Sequence, residues 1–316
     1  MQKKISIVIP CYNEEQALGI IYEKLVEIAS QMTQFDFEFV LVNDGSNDHT
    51  LAVMRTLAQK DVRVSYYSFS RNFGKEAALL CGLKNASGDY IATMDADMQD
   101  PPELIPQMVE ALESGAYDNV ASRRVTRKGE PLIRSFFARK FYKWMRKMTH
   151  IEIADGARDY RMMSRAMVNS ILALPEYNRF SKGIFAWVGY RTKWIEFENV
   201  KRSAGETKWN FWQLLHYSVD GIVNFSNAPI RLASILGIVM TILSFCAIIF
   251  EVIRALIFKD PVAGWPSLVC IITFIGGIQL FCMGIMGQYI SKTYMEVKRR
   301  PHYIVGETNR ECEYNG

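Results

Sequence analysis

Tyr90-Ile91-Ala92-Thr93-Met94-Asp95-Ala96-Asp97-Met98-Gln99-Asp100-Pro101-Pro102-Glu103 is the stretch from which the rest of the chain can be read. Its first five residues are apolar or β-branched, the composition of a short buried strand. Pro101 and Pro102 stop that run, and a helix opening on proline is expected to follow as far as Glu113. Three carboxylates and an amide therefore crowd the carboxyl end of a strand, where open α/β sheets hold their ligands. On extended backbone, Asp95 and Asp97 point to the same side. Oxygen donors of this kind suit Mg²⁺ or Mn²⁺, which share their shell with substrate phosphates. A bare Asp-x-Asp is equally well an acidic turn that caps a helix. The strand before it and the pattern around it favour a metal–phosphate site.

Upstream, the same rhythm of strand and helix occurs three times. Strands are expected over residues 5–9, 37–42 and 62–69, and helices over 14–31, 50–60 and 74–85. Strands alternating with helices of this length predict an α/β fold with a mostly parallel sheet and right-handed crossovers. Two more turns fall at its carboxyl edge, Pro10-Cys11-Tyr12-Asn13-Glu14 and Asn43-Asp44-Gly45-Ser46. Asp44 could accept from an N–H of a base and Tyr12 could stack on it, although each turn taken singly is also an ordinary helix cap.

Downstream, a strand is expected over 118–122 and a helix over 132–148. That helix interleaves Phe136, Phe137, Phe141, Tyr142 and Trp144 with six basic residues. Its pattern suits an anionic membrane surface, and equally a helix packed on the sheet with a solvated basic face. A second such stretch covers 209–225. Residues 232–250 and 266–290 carry no charge and are long enough to span a bilayer. The short linker over 259–265 holds one lysine, whereas Lys292, Lys298, Arg299 and Arg300 follow the second run. The positive-inside bias then places the tail and the N-terminal domain in the cytoplasm. The start, Met-Gln-Lys-Lys and then a strand, shows no secretory leader. The expected division is a catalytic domain over 1–208, a juxtamembrane amphipathic helix over 209–229, two transmembrane helices within 230–290 and a cytoplasmic tail over 291–316. The six cysteines form no C-x-x-C pair, which argues against a zinc site or a disulfide framework. A net charge of +4 over 316 residues does not suggest nucleic acid as a partner.

Four motifs in this order carry a resemblance: Val8-Ile9-Pro10-Cys11-Tyr12-Asn13-Glu14, Val42-Asn43-Asp44-Gly45-Ser46, Arg71-Asn72-Phe73-Gly74-Lys75 and Asp95 to Glu103. The set closely resembles family 2 glycosyltransferases with the GT-A fold. Within them it looks like the polyprenyl-phosphate glycosyltransferases, which include dolichol-phosphate mannose synthase and the bactoprenol glucosyltransferases. The two-span hairpin extends the resemblance over essentially the whole chain. It implies that Pro10, Tyr12, Glu14 and Asp44 form the nucleotide pocket, with Lys75 among the substrate-binding residues. It further implies that Asp95 contacts the donor and that Asp97 and Gln99 ligate Mg²⁺ or Mn²⁺ on its diphosphate. Ser122-Arg123 resembles the family's Ser-Arg on the acceptor side. Asp159-Tyr160-Arg161 takes the place of an element near the reacting centre, where Asp159 would orient the acceptor or the closing loop. Arg202-Ser203-Ala204-Gly205-Glu206-Thr207-Lys208-Trp209 looks like the family's closing loop, with Arg202 and Lys208 on the phosphates.

The implied reaction is inverting transfer from a nucleotide sugar, with UDP-glucose ahead of UDP-N-acetylglucosamine, to undecaprenyl phosphate at the membrane. GDP-mannose as donor is the nearest alternative. A processive synthase would carry a Gln-x-x-Arg-Trp element, and none is present. A non-catalytic scaffold or flippase partner would have lost the carboxylates or the closing-loop cations. Homotetramers occur in the resembled group, and Gly276, Gly277, Gly284 and Gly287 would permit close packing between helices.

Overall fold

The computed structural model describes residues 2–124, 157–197, 223, 226, 228–258 and 264–310. They fall into two compact units, one of residues 1–215 with 300–316 and one of residues 216–299.

The first unit is an α/β sheet. β1 (Lys3–Cys11) and β2 (Phe35–Asn43) pair in parallel along their whole length, Lys3 opposite Phe35 and Cys11 opposite Asn43. β3 (Val64–Phe69) continues the sheet beyond β2, and β4 (Tyr90–Thr93) lies parallel to β1 on its other side. These strands are apolar almost throughout because both faces are covered, as in parallel sheets generally. Ile5, Ile7 and Ile9 pack with Leu18, Ile21 and Leu25 of α1 (Ala17–Gln31). On the opposite face α3 (Lys75–Asn85) lies so close that a Cβ on Gly82 would sit 2.2 Å from Val8 Cγ1. Gly82→Ala is therefore expected to cost about 1–3 kcal/mol, the usual range for overpacking, and to lower the melting temperature.

α2 (Thr50–Lys60) and α4 (Ile105–Glu113) complete the crossovers that the alternation predicts. A single turn of 3₁₀ helix over Pro102–Leu104 leads into α4. Beyond it come β5 (Asn119–Arg124), β6 (Ala157–Ser164), α5 (Arg165–Leu172), α6 (Ser181–Trp187) and β7 (Thr192–Phe197). With β8 (Val305–Thr308) at one edge, the strand order is β7-β5-β6-β4-β1-β2-β3-β8. β6 is antiparallel to both β4 and β5. Its N-terminal end therefore lies beside the carboxyl ends of β4 and β5, at the edge where the loops of β1, β2 and β4 also emerge. β8 (Val305–Thr308) is antiparallel to β3, so part of the stretch read from sequence as a plain tail is a strand of this sheet.

The second unit holds α7 (Ala228–Phe258) and α8 (Trp265–Lys298), of 31 and 34 residues. At 1.5 Å per residue each exceeds the ~30 Å of a hydrocarbon core. Ala228–Ala247 and Phe274–Lys298 are long and apolar enough to cross a membrane. Ile235, Ile242, Phe245, Phe274 and Leu280 are exposed along them. Tyr289 donates to the Ser226 carbonyl at 2.5 Å. The stretches 132–148 and 202–208, and nearly all of 209–225, lie outside the described residues.

Candidate active site

Each loop at the carboxyl edge is tied to its neighbour. The N–H of Asn13 donates to Ser46 Oγ at 2.9 Å, and the N–H of Asn47 returns to Asn13 Oδ1 at 2.9 Å. Glu14 N–H reaches Thr50 Oγ1 at 2.8 Å. Asn13 holds a left-handed φ of 57°, which asparagine tolerates. These bonds delay α1 until Ala17, whereas the sequence pattern starts it at 14. Gly45 also requires its lack of a side chain: its φ is +64°, and a Cβ there would lie 2.4 Å from the Arg71 carbonyl carbon. This close approach brings the Arg71–Lys75 loop onto the Asp44 turn. Asp44 is buried and accepts from the N–H of Phe73 at 2.6 Å and of Gly74 at 3.0 Å. Burial raises its pKa, against the pull of these two N–H groups. Tyr12 stands 37% exposed at the end of β1, with Pro10 and Glu14 half-buried beside it.

The acidic turn after β4 is half-buried at Asp95, Asp97 and Gln99. Gln99 N–H folds back onto Asp97 Oδ1 at 3.1 Å, and Met98 takes a φ of 59°. That value is strained for methionine, and strain of this kind collects at functional turns. Asp100 is completely buried. Its Oδ2 accepts from Asp95 N–H at 3.3 Å and its Oδ1 from Arg158 Nε at 2.9 Å. Arg158 Nη2 is buried without a hydrogen-bond acceptor among the described residues, 3.9 Å from Asp95 Oδ2.

Lys75 joins the two halves of the site. Its Nζ lies 2.6 Å from Asp95 Oδ1 and 2.8 Å from Asp159 Oδ2. Removal from water works against the ammonium, but Asp159 and Asp95 outweigh it and hold the Lys75 pKa above the usual lysine range. Burial likewise opposes ionisation of Asp159, and Lys75, Lys182 and Arg161 overturn it, holding that carboxyl well below the usual range. The Asp159 backbone is fixed by Thr93 Oγ1, which donates to its carbonyl at 2.6 Å. Arg161 is buried with its guanidinium 3.9 Å from the Phe185 ring centroid, and burial lowers its pKa to about 10 against the field of Asp159.

The predicted residues thus divide. Asp95, Lys75 and Asp159 meet in one cluster, while Asp97 and Gln99 share the adjoining turn. Arg123 lies at the same edge, but its guanidinium pairs with Glu196 of β7. Ser122 Oγ is turned into the sheet, donating to the Tyr160 carbonyl at 2.9 Å. Arg202 and Lys208 lie outside the described residues. Arg158, Asp100 and Glu76 are the residues sequence reasoning left unassigned, because nothing in a linear pattern shows which charges are buried together. Glu76 accepts from the N–H of Ser181 at 3.0 Å and from its hydroxyl, so α3 and the start of α6 are joined beside Asp159.

Desolvation, against the Ser181 bonds, pushes Glu76 up to about 7. A carboxyl raised above its unfolded value binds more protons when folded, so stability falls as pH rises from about 4.3 towards 7. Glu76→Gln keeps an acceptor for Ser181 and is expected to flatten that decline. Melting temperatures from pH 5 to 8 would show it.

Asp97 and Gln99 carry oxygen donors of the class that Mg²⁺ or Mn²⁺ takes. Among the described residues no three His, Cys, Asp or Glu side chains converge into a cage. A hard cation held by one or two side chains and completed by substrate phosphate and water needs no cage.

The model of the family described as glycosyl transferase family 2 matches residues 6–172. The bactoprenol glucosyl transferase of Shigella phage SfII is 40% identical over 307 residues, covering 97% of this chain and 99% of that one. The uncharacterized glycosyltransferase sll0501 of Synechocystis is 41% identical over 307 residues, covering 97% and 96%. A crystal structure of Mycobacterium tuberculosis glucosyl-3-phosphoglycerate synthase with Mn²⁺, UDP-glucose and phosphoglyceric acid covers 71% of this chain and 78% of that one. Its TM-score is 0.50 at 20% identity, a likeness of fold alone. With the family model over more than half its length and relatives aligned almost end to end, the chain belongs to glycosyltransferase family 2 and its α/β unit has the GT-A fold.

Proposed function

We propose that this glycosyltransferase moves a sugar, glucose in the first instance, from a UDP-sugar to a polyprenyl phosphate at the cytoplasmic face of a membrane. The observation that carries this reading is the 40% identity to a bactoprenol glucosyl transferase along nearly all of both chains, through both apolar helices. A polyprenyl phosphate keeps its tail in the bilayer and offers only its head group, which matches an α/β unit carried on two apolar helices. After the second apolar helix the chain returns to the α/β sheet, where β8 pairs with β3. The basic residues after the second helix favour the cytoplasm for that side.

In the proposed step an acceptor phosphate oxygen attacks the anomeric carbon. The bond from that carbon to the diphosphate oxygen breaks, and UDP leaves with the electron pair. One in-line displacement inverts the centre, giving a β-linked product from an α-linked donor. The acceptor needs no strong base, because a phosphate monoester has its second pKa near 6. Asp159 accordingly serves to orient the acceptor or the closing loop, and no proton needs to pass to it. Tyr12 and Asp44 would receive the base, and Lys75 would turn from its carboxylates to the diphosphate. Asp97 and Gln99 would hold Mg²⁺ or Mn²⁺, which when bound neutralises charge on the leaving diphosphate. Arg123, Arg202 and Lys208 are the cations for the acceptor phosphate and the closing loop. A homotetramer remains the expected assembly.

The test is transfer of labelled sugar to undecaprenyl phosphate in detergent from UDP-glucose, UDP-N-acetylglucosamine or GDP-mannose, each with Mn²⁺, Mg²⁺ or EDTA. Metal-dependent transfer from UDP-glucose is expected. Transfer only from another donor would change the sugar, and folded protein that binds no nucleotide sugar would overturn the reading.

A further inference from the structure

The segment after α8 lies across both loops that frame Lys75. Tyr303 stacks on Phe69 with ring centroids 4.9 Å apart and planes at 14°. Phe69 in turn meets Phe73 edge-on at 5.8 Å. Ser70 N–H donates to the Ile304 carbonyl at 3.0 Å. Phe73 and Gly74 are the residues whose N–H groups Asp44 holds, and Lys75 follows them directly. On the other side His302 Nε2 lies 2.9 Å from the Glu176 carbonyl oxygen, and its ring stacks on Tyr177 at 5.4 Å. That second loop leads to Ser181, which Glu76 joins back to α3. Two adjacent residues of the C-terminal segment thus grip the two loops that meet again beside Lys75.

The segment is itself firmly anchored. Glu307 takes Arg55 Nε at 2.7 Å and Nη2 at 2.5 Å, and accepts from Tyr66 Oη at 2.8 Å. The Asn309 side chain prolongs the strand pairing, accepting from Tyr66 N–H at 2.9 Å and donating to the Val64 carbonyl at 3.0 Å. A bulge between Ser68 and Phe69 ends the regular ladder where Tyr303 takes over. These bonds fix the segment along the free edge of β3.

We propose that residues 302–309 form a strap that belongs to the donor site, with Tyr303 a positioning residue that sets the Phe69–Lys75 loop. The inference rests on the reading of Asp44 and Lys75 as donor-site groups. It makes the C-terminal segment a determinant of donor use.

The test compares full-length wild type, Tyr303→Ala, Tyr303→Phe and, as a destabilised control remote from the strap, Leu25→Ala. Hydrogen exchange over residues 69–75 and transfer kinetics with UDP-glucose are measured on each in detergent. Tyr303→Ala is expected to speed exchange at Phe73 and Gly74 and to lower kcat/KM for the donor about tenfold, mainly through KM; tenfold corresponds to about 1.4 kcal/mol. Tyr303→Phe keeps the stacked ring and should stay within about twofold of wild type. Leu25→Ala should lose melting temperature without changing donor KM. Unchanged exchange in Tyr303→Ala overturns the proposal, as does faster exchange with unchanged kinetics, or an equal KM change in Leu25→Ala. Strap-dependent exchange in a wild type that uses no nucleotide sugar would support the grip on the loop and overturn the reading of the reaction instead.

Discussion

Lys75→Met is expected to lower sugar transfer by about two to three orders of magnitude, the range for removing one hydrogen-bond donor aimed at developing charge. The Lys75 ammonium sits within 3 Å of both Asp95 and Asp159. Methionine fills similar space and leaves two part-buried carboxylates without their shared cation. The Asp159 pKa must then rise, because burial already opposes its ionisation and Lys75 is the strongest opposing influence. The rate of the variant should therefore acquire an acid limb that the wild type lacks. Stability should respond with a definite sign. A carboxyl depressed in the folded state contributes stability above its unfolded value, near 3.9, and loses it as pH falls through the folded value. The variant lacks that contribution at neutral pH, so its melting temperature should fall below wild type at pH 7, and the gap should begin to narrow only as pH drops below the unfolded value. Lys75→Arg keeps the charge and should recover part of both losses. Transfer at the wild-type rate by Lys75→Met would remove Lys75 from the mechanism.

Asp97→Ala is expected to reduce transfer by a comparable factor, and its signature is different. On the proposed reading Asp97 would contribute a carboxylate oxygen to a hard cation, with substrate phosphate and water supplying most of its remaining ligands. Losing it should weaken the metal-dependent part of UDP binding, measured by calorimetry with and without Mn²⁺, while metal-free binding through the base pocket persists. Raising Mn²⁺ should recover some of the rate in Asp97→Ala and none in Lys75→Met. An Asp97→Ala protein with wild-type Mn²⁺ dependence would place the metal elsewhere.

The parallel half of the fold was legible in the sequence because each of its strands is buried on both faces. Residues 5–9, 37–42 and 90–94 are apolar or β-branched runs ended by turn residues, and the structure extends them by only a residue or two, or trims one. The α2 helix begins and ends where its pattern does. β6 was not legible. Its sequence Ala-Arg-Asp-Tyr-Arg-Met-Met-Ser places Arg161 in the interior, and polar residues suppress the signal that marks a buried strand. β8 was illegible for another reason: its partners Arg55 and Tyr66 lie some 240 residues away, and pairing at that separation has no local trace.

By itself, then, the sequence determined the family, the succession of strands and helices up to Glu113, the two long apolar helices and the acidic turn, all carried by local composition and spacing. Only the tertiary structure decided which charges share a buried environment. It seats Lys75 between Asp95 and Asp159, ties Asp100 to Arg158, turns Arg123 towards Glu196 and returns the C-terminal segment to the loop before Lys75. The physical reason is that electrostatic pairing depends on distance through space and on desolvation, and both are set by how β6 inserts antiparallel between β4 and β5 and β8 adds at the edge of a sheet whose parallel core is written in its residues.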